Sequence, residues 1–182
     1  MDSLQPLKHM LQTERPVHWE ELPDIDLYRD QVLNYMPRQQ VTRPCETPLT
    51  GAMINNYIKM GLVPRANGKR YTKEHLAYLT AICALKQVLS VSDVDFLFKQ
   101  AALDPQLDAK TFYETYWSLL DASLHQTAGQ IVEDSPEDQW AAIALRLAVS
   151  SYTQKLACEH LLDLLRQREE AKNPPPKGGK TK

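Results

Sequence analysis

The chain has 182 residues and a formal net charge of −2 at pH 7, with 43% hydrophobic and 24% charged residues. That length holds one domain, or a small domain with an appendage, and excludes two independent enzyme-sized units. Six glycines and few β-branched runs lean toward helix, and no stretch approaches the roughly 18 apolar residues of a membrane span, so a mainly α, cytoplasmic protein with no membrane partner is expected.

Residues 1–21 are polar, interrupted by Pro6 and Pro16, with a short apolar pattern at Leu4, Leu7 and Leu11; they read as a loosely attached, flexible arm. The opening MDSLQPLKHM lacks the basic head and apolar run of a secretory signal. Pro23-Asp24 resembles a helix start, and Ile25, Tyr28, Val32, Tyr35 and Met36 follow on one helical face that Pro37 stops. Residues 38–49, with Pro44 and Pro48, form a connection. Thr50 then caps a short helix whose apolar face is Met53, Ile54, Tyr57 and Ile58, with Leu62 beyond, and which ends at Gly61. Its opposite face displays Asn55, Asn56 and Lys59.

In LVPRANGKRYTKEHLAYL, residues 62–79, Leu62-Val63 and Arg70-Tyr71 flank Asn67-Gly68, a dipeptide suited to a type I′ turn. A β-hairpin wing carrying Arg65, Lys69 and Arg70 is therefore expected, with Thr72 capping the next helix. Ser90 or Ser92 caps another helix, on which Val94, Leu97 and Phe98 face inward. After a turn at Asp104-Pro105, one long helix runs from about Ala109 to Ala128 with Phe112, Tyr113, Tyr116, Trp117, Leu120 and Leu124 on one side. A second begins near Ser135-Pro136-Glu137-Asp138 and reaches about Arg168. It carries two apolar stripes: Trp140, Ala144, Leu147, Cys158, Leu161 and Leu165 form one, and Leu145, Val149, Tyr152 and Leu156 form the other. Two stripes need two packing partners. The expected division is an arm at 1–21, a head at 22–103, a helical region at 104–168 and a disordered tail at 169–182.

The run from Thr50 to Phe98 resembles the DNA-binding head of MerR-type regulators, through Tyr57, Gly61, Leu62, Arg70, Tyr71, Thr72, Glu74 and Leu76. The combination LPDIDLYRDQV, MINNYIKMGLVP and KRYTKEHLAYL is similar to a bacterial domain-of-unknown-function family that is itself considered MerR-like. The resemblance implies a winged helix-turn-helix with a small β-hairpin wing, followed by an α-helical C-terminal region. In such a fold the helix at 50–60 enters a major groove and the wing follows the backbone. MerR regulators usually carry arginine and tyrosine where this chain has Asn55 and Asn56.

Charge distribution agrees with an anionic partner. Residues 37–90 carry eight Lys or Arg against Glu46 and Glu74, while acids outnumber bases on either side. Arg43, Lys59, Arg65, Lys69, Arg70 and Lys73 are the candidates for phosphate contacts, which release counterions and make affinity fall with salt. Asn55 and Asn56 are candidates for pairing with adenine N6 and N7, or else satisfy backbone groups near the helix end. Cys45, Cys83 and Cys158 fit reduced thiols, and His9, His18, His75, His125 and His160 have no metal-ligand spacing, so neither metal nor cofactor is expected. His75, beside a helix cap, reads as a surface residue. Neither a phosphate loop nor a nucleophile elbow is present, and the paired acids at helix starts are explained by the helix dipole. The expectation is a non-enzymatic regulator that binds double-stranded DNA. The aromatic run at 112–117 lines a small-molecule effector pocket or packs as core, and the stripe at 145–156 forms a homodimer seam or packs on the head. The alternative is a protein-interaction module that keeps the fold without binding DNA.

Overall fold

A computed structural model describes residues 3–41, 48–101 and 108–172. Arg43, Cys45 and the Asp104-Pro105 turn lie outside the described residues, as do residues 173–182. The described chain is mainly helical: α1 (Gln5–Thr13), β1 (Leu27–Tyr28), α2 (Arg29–Tyr35), α3 (Gly51–Met60), β2 (Arg70–Tyr71), α4 (Lys73–Leu85), α5 (Val91–Ala101), α6 (Ala109–Gly129) and α7 (Trp140–Lys172). A two-stranded antiparallel sheet pairs Leu27 with Tyr71 and Tyr28 with Arg70.

α3 forms where its caps place it. The Thr50 hydroxyl accepts from the Met53 amide at 3.2 Å, and Gly61 takes the left-handed conformation (φ 79°) that closes the last turn. The amides of Gly61 and Leu62 reach back to the carbonyls of Ile58 and Tyr57, as in a Schellman motif. Ile54 and Tyr57 are buried, together with Leu62 and Val63 just beyond the helix. α4 supplies most of the core opposite them, with Leu76, Leu79, Ile82 and Cys83 inside. α5 is capped by the Ser90 hydroxyl, which accepts from the Asp93 amide at 3.1 Å, and buries Val94 and Phe98.

Three expectations change. The wing is not a hairpin of Leu62-Val63 with Arg70-Tyr71, because β2 pairs with β1 instead. Leu62 and Val63 are both buried, without the alternation a half-buried strand needs, and both their amides bond to the Tyr57 carbonyl. Asn67 and Arg70 still exchange both backbone hydrogen bonds, at 3.1 Å each, around Gly68 and Lys69. Within this turn φ is positive at Gly68 (65°), the first central position, and not at Lys69, which matches type II′ rather than type I′. The helix expected from Pro23 begins only at Arg29, and Ile25 is exposed while Leu27 enters the core from β1. Pro37 does end α2, but the chain continues as a 3-10 turn over Met36–Gln39.

The N-terminal segment is a helix and strap rather than a loose arm. α1 packs on α6, and Arg15 Nε meets Asp121 at 2.7 Å. The Trp117 indole donates to the Pro16 carbonyl at 2.8 Å and the Tyr113 hydroxyl to the Val17 carbonyl at 2.7 Å. The aromatic face of α6 thus holds residues 16–17 on one side and packs Phe112 against Phe98 and Tyr78 on the other. α7 docks on α5 through buried Leu162, an ion pair from Arg166 to Asp93, and the Arg166 guanidinium 4.8 Å from the Phe96 ring centroid. The Ser90 hydroxyl and then the Arg166 guanidinium hold the Asp93 carboxyl below the usual carboxylate range. α7 continues to Lys172, so residues 169–172 of the expected tail are helical, in keeping with the helix propensity of Glu-Glu-Ala-Lys. No helix among the described residues is long and apolar enough to cross a membrane.

Candidate nucleic-acid interface

The β1–β2 pairing brings the start of α2 beside the 67–70 turn, and α3 closes the third side. The result is a cleft of about 390 Å³ lined by Tyr28, Arg29, Asp30, Asn55, Gly68, Lys69 and Tyr71. Asn55 comes from the exposed face of α3 and Lys69 from the turn, so the turn and the helix share one surface. Arg70 stands at the rim, its guanidinium donating to the Tyr28 hydroxyl at 3.3 Å and lying 5.4 Å from that ring's centroid. These contacts orient Arg70 while leaving it exposed.

Arg29 is the residue that sequence reasoning missed. Its side chain crosses the first turn of α3 so closely that a Cβ on Gly51 would stand 3.1 Å from Arg29 Cδ. Arg29 is exposed, and neither it nor Lys59, Arg65 or Lys69 takes part in an ion pair with another described residue. Cations left unpaired in water are the ones available to an anionic ligand. Asp30, in the same cleft, opposes them.

The remaining candidates divide. Asn56 is exposed, and its amide donates to Met60 Sδ at 3.5 Å, a weak contact within its own helix. Lys59 and Arg65 are exposed on and beyond α3 but do not line the cleft. Lys73 turns away from it: Nζ pairs with Asp24 at 2.7 Å and lies 5.6 Å from the Trp19 ring centroid. Its ammonium group is committed to holding residues 19–24 against the start of α4.

His75 is buried rather than on the surface. Its Nδ1 accepts the Thr72 amide at 3.0 Å, closing the first turn of α4, and its ring meets Tyr71 edge-on at 5.5 Å. Burial, opposed by the backbone of Arg65 and Pro64, pushes its pKa below the ordinary 6.5, so the neutral imidazole is the folded form. His75 thereby ties the root of the turn to α4.

A family model for a domain of unknown function, DUF1836, matches residues 17–116. The chain belongs to that family. The DUF1836 match takes in β1 through α5 and the opening turns of α6, and therefore the whole cleft. α1 and α7 fall outside it. No curated protein and no solved structure matches the chain.

Proposed function

We propose that the DUF1836 head is a MerR-like winged helix-turn-helix that binds duplex DNA, and that the protein is a cytoplasmic, non-enzymatic transcriptional regulator. The observation that carries this reading is the shared cleft: Asn55 on α3 faces the same opening as Lys69, with Arg29, in no ion pair among the described residues, between the elements and Arg70 at the rim. α3 has the length and exposed polar face to enter a major groove, where an asparagine amide pairs with adenine N6 and N7. Lys69, Arg70 and Arg29 anchor phosphates on either side, with Lys59 and Arg65 adding to the attraction. Two-fold placement on half-sites comes from α7, where Leu145, Val149, Tyr152 and Leu156 are each more than half exposed. Their 4-3-4 spacing is palindromic, so an antiparallel copy sets Leu145 against Leu156 and Val149 against Tyr152 about a two-fold axis.

A second reading is favoured by Asp30 and exposed Tyr28 beside the cations, a mixture that also suits an acidic protein segment. An electrophoretic shift with random duplex across a salt series separates the two. DNA binding gives a complex that weakens steeply as salt rises. No shift at low salt favours the protein partner. On sites recovered by genome-wide crosslinking, Asn55→Ala should cost about 1–3 kcal/mol and leave random-duplex binding nearly unchanged.

A further inference from the structure

The outward face of α3 has a blank in it. Residues four apart on a helix stand one above the other, so Gly51, Asn55 and Lys59 form a single row. Asn55 and Lys59 are exposed, and at Gly51 the row has no side chain of its own. Backbone shape does not call for that glycine. Among the described residues positive φ occurs only at Gly61 and Gly68, so Gly51 is an ordinary helical position at which alanine has the better propensity.

Space does call for it. At Gly61, Gly68 and Gly129 an added Cβ would meet nothing within 4 Å, whereas at Gly51 it would stand 3.1 Å from Arg29 Cδ, 3.3 Å from Nε and 3.6 Å from Cζ. Three consecutive atoms at that range mean that the Arg29 side chain lies flat across Gly51 rather than touching it at one point. The start of α2 thus lends α3 the side chain that its own sequence omits. The row then reads cation, amide, cation through Arg29, Asn55 and Lys59, and Arg29 and Asn55 line the cleft together with Lys69.

We propose that Gly51 is the positioning residue for Arg29: by having no Cβ it lets the arginine lie over the first turn of α3, its guanidinium in line with Asn55 and set to meet an anionic partner, a phosphate in the case of duplex DNA. This role rests on the cleft being the binding interface. A side chain at position 51 lifts the guanidinium off the row and leaves a free-moving arginine, which loses more rotamer freedom on reaching the same anion.

The test is a double-mutant cycle on the full chain, with Arg29→Ala, Gly51→Leu and both together, read by anisotropy of a labelled random duplex through a salt series. Arg29→Ala should flatten the log–log slope by about one. Gly51→Leu, which changes no charge, should flatten it by about the same amount, and should add nothing once Arg29 is gone. Gly51→Ala, the milder variant if leucine does not fold, should give a smaller loss in the same direction without lowering the urea midpoint. In wild type a nuclear Overhauser contact between the Arg29 Hδ and Gly51 Hα protons should report the packing with no variant and no ligand. If the wild type binds no duplex at low salt, the DNA reading fails, and the same cycle on poly-glutamate decides whether Gly51 positions Arg29 for an anion. Binding of neither probe, a missing Overhauser contact, a Gly51→Leu protein that binds like wild type, or additive losses in the double variant would overturn the proposal.

Discussion

The DUF1836 head and α7 solve the same problem in opposite ways. In the head, every helix from α2 to α5 turns its apolar face onto a shared core: Val32, Ile54, Leu76 and Val94 are each 0% exposed. α7 is longer than any of them, yet among its side chains only Leu162 is buried, while Leu145 is 66% and Tyr152 65% exposed. The face that meets the body runs through Cys158, Leu162 and Leu165, with Leu161, expected on it, 60% exposed instead, and the stripe at 145–156 has no partner among the described residues. An apolar stripe in sequence therefore states a demand for a partner without saying that the same chain supplies it.

The largest effect should come from cutting into the head. Ile54→Ala removes a fully enclosed side chain and should cost about 2–5 kcal/mol in urea unfolding. Leu145→Ala, measured at concentrations too dilute for self-association, should stay within about 0.5 kcal/mol. Next, sedimentation equilibrium should show self-association that Leu145→Glu with Tyr152→Glu abolishes, leaving the head's unfolding midpoint in place. A smaller change is expected for Gly61→Ala, since an alanine at φ 79° is strained by about 1 kcal/mol whatever space surrounds it. The last is pH dependence. His75 has a lowered pKa in the folded state, so its contribution is complete above the ordinary 6.5 and is lost as pH falls below it, when the unfolded chain takes the proton first. Urea midpoints should fall between pH 7.5 and 5.5, and His75→Gln should flatten that fall.

Local signals made α3 legible from sequence: Thr50 and Gly61 mark its ends, and Asn55 and Asn56 are exposed as the periodicity requires. Ser90 likewise marks α5, whereas the inward stripe of α7 was read through Leu161 and the side chain that is buried is Leu162, one residue on. The β1–β2 pairing was illegible because strands of two residues carry no periodicity, and Asn67-Gly68 points to a turn without naming the strand that joins it. Arg29 was missed for the same reason. Its place in the cleft follows from that pairing, and nothing near it in sequence distinguishes it from a solvated arginine. Lys73 shows the converse, a cation in the basic run whose charge is satisfied by Asp24, far away in sequence. Burial of His75 is set by tertiary packing of the 62–66 segment over α4, which a capping pattern does not reveal.

The central claim is that the 67–70 turn and the polar face of α3 grip one duplex. Fluorescence anisotropy of a labelled random duplex, titrated with wild type and with Lys69→Ala/Arg70→Ala through a salt series, tests it most directly. The account predicts salt-dependent binding by the wild type and a log–log slope that flattens by about two in the variant, one for each lost phosphate contact. Equal slopes in the two proteins, or no binding by wild type at low salt, would contradict it.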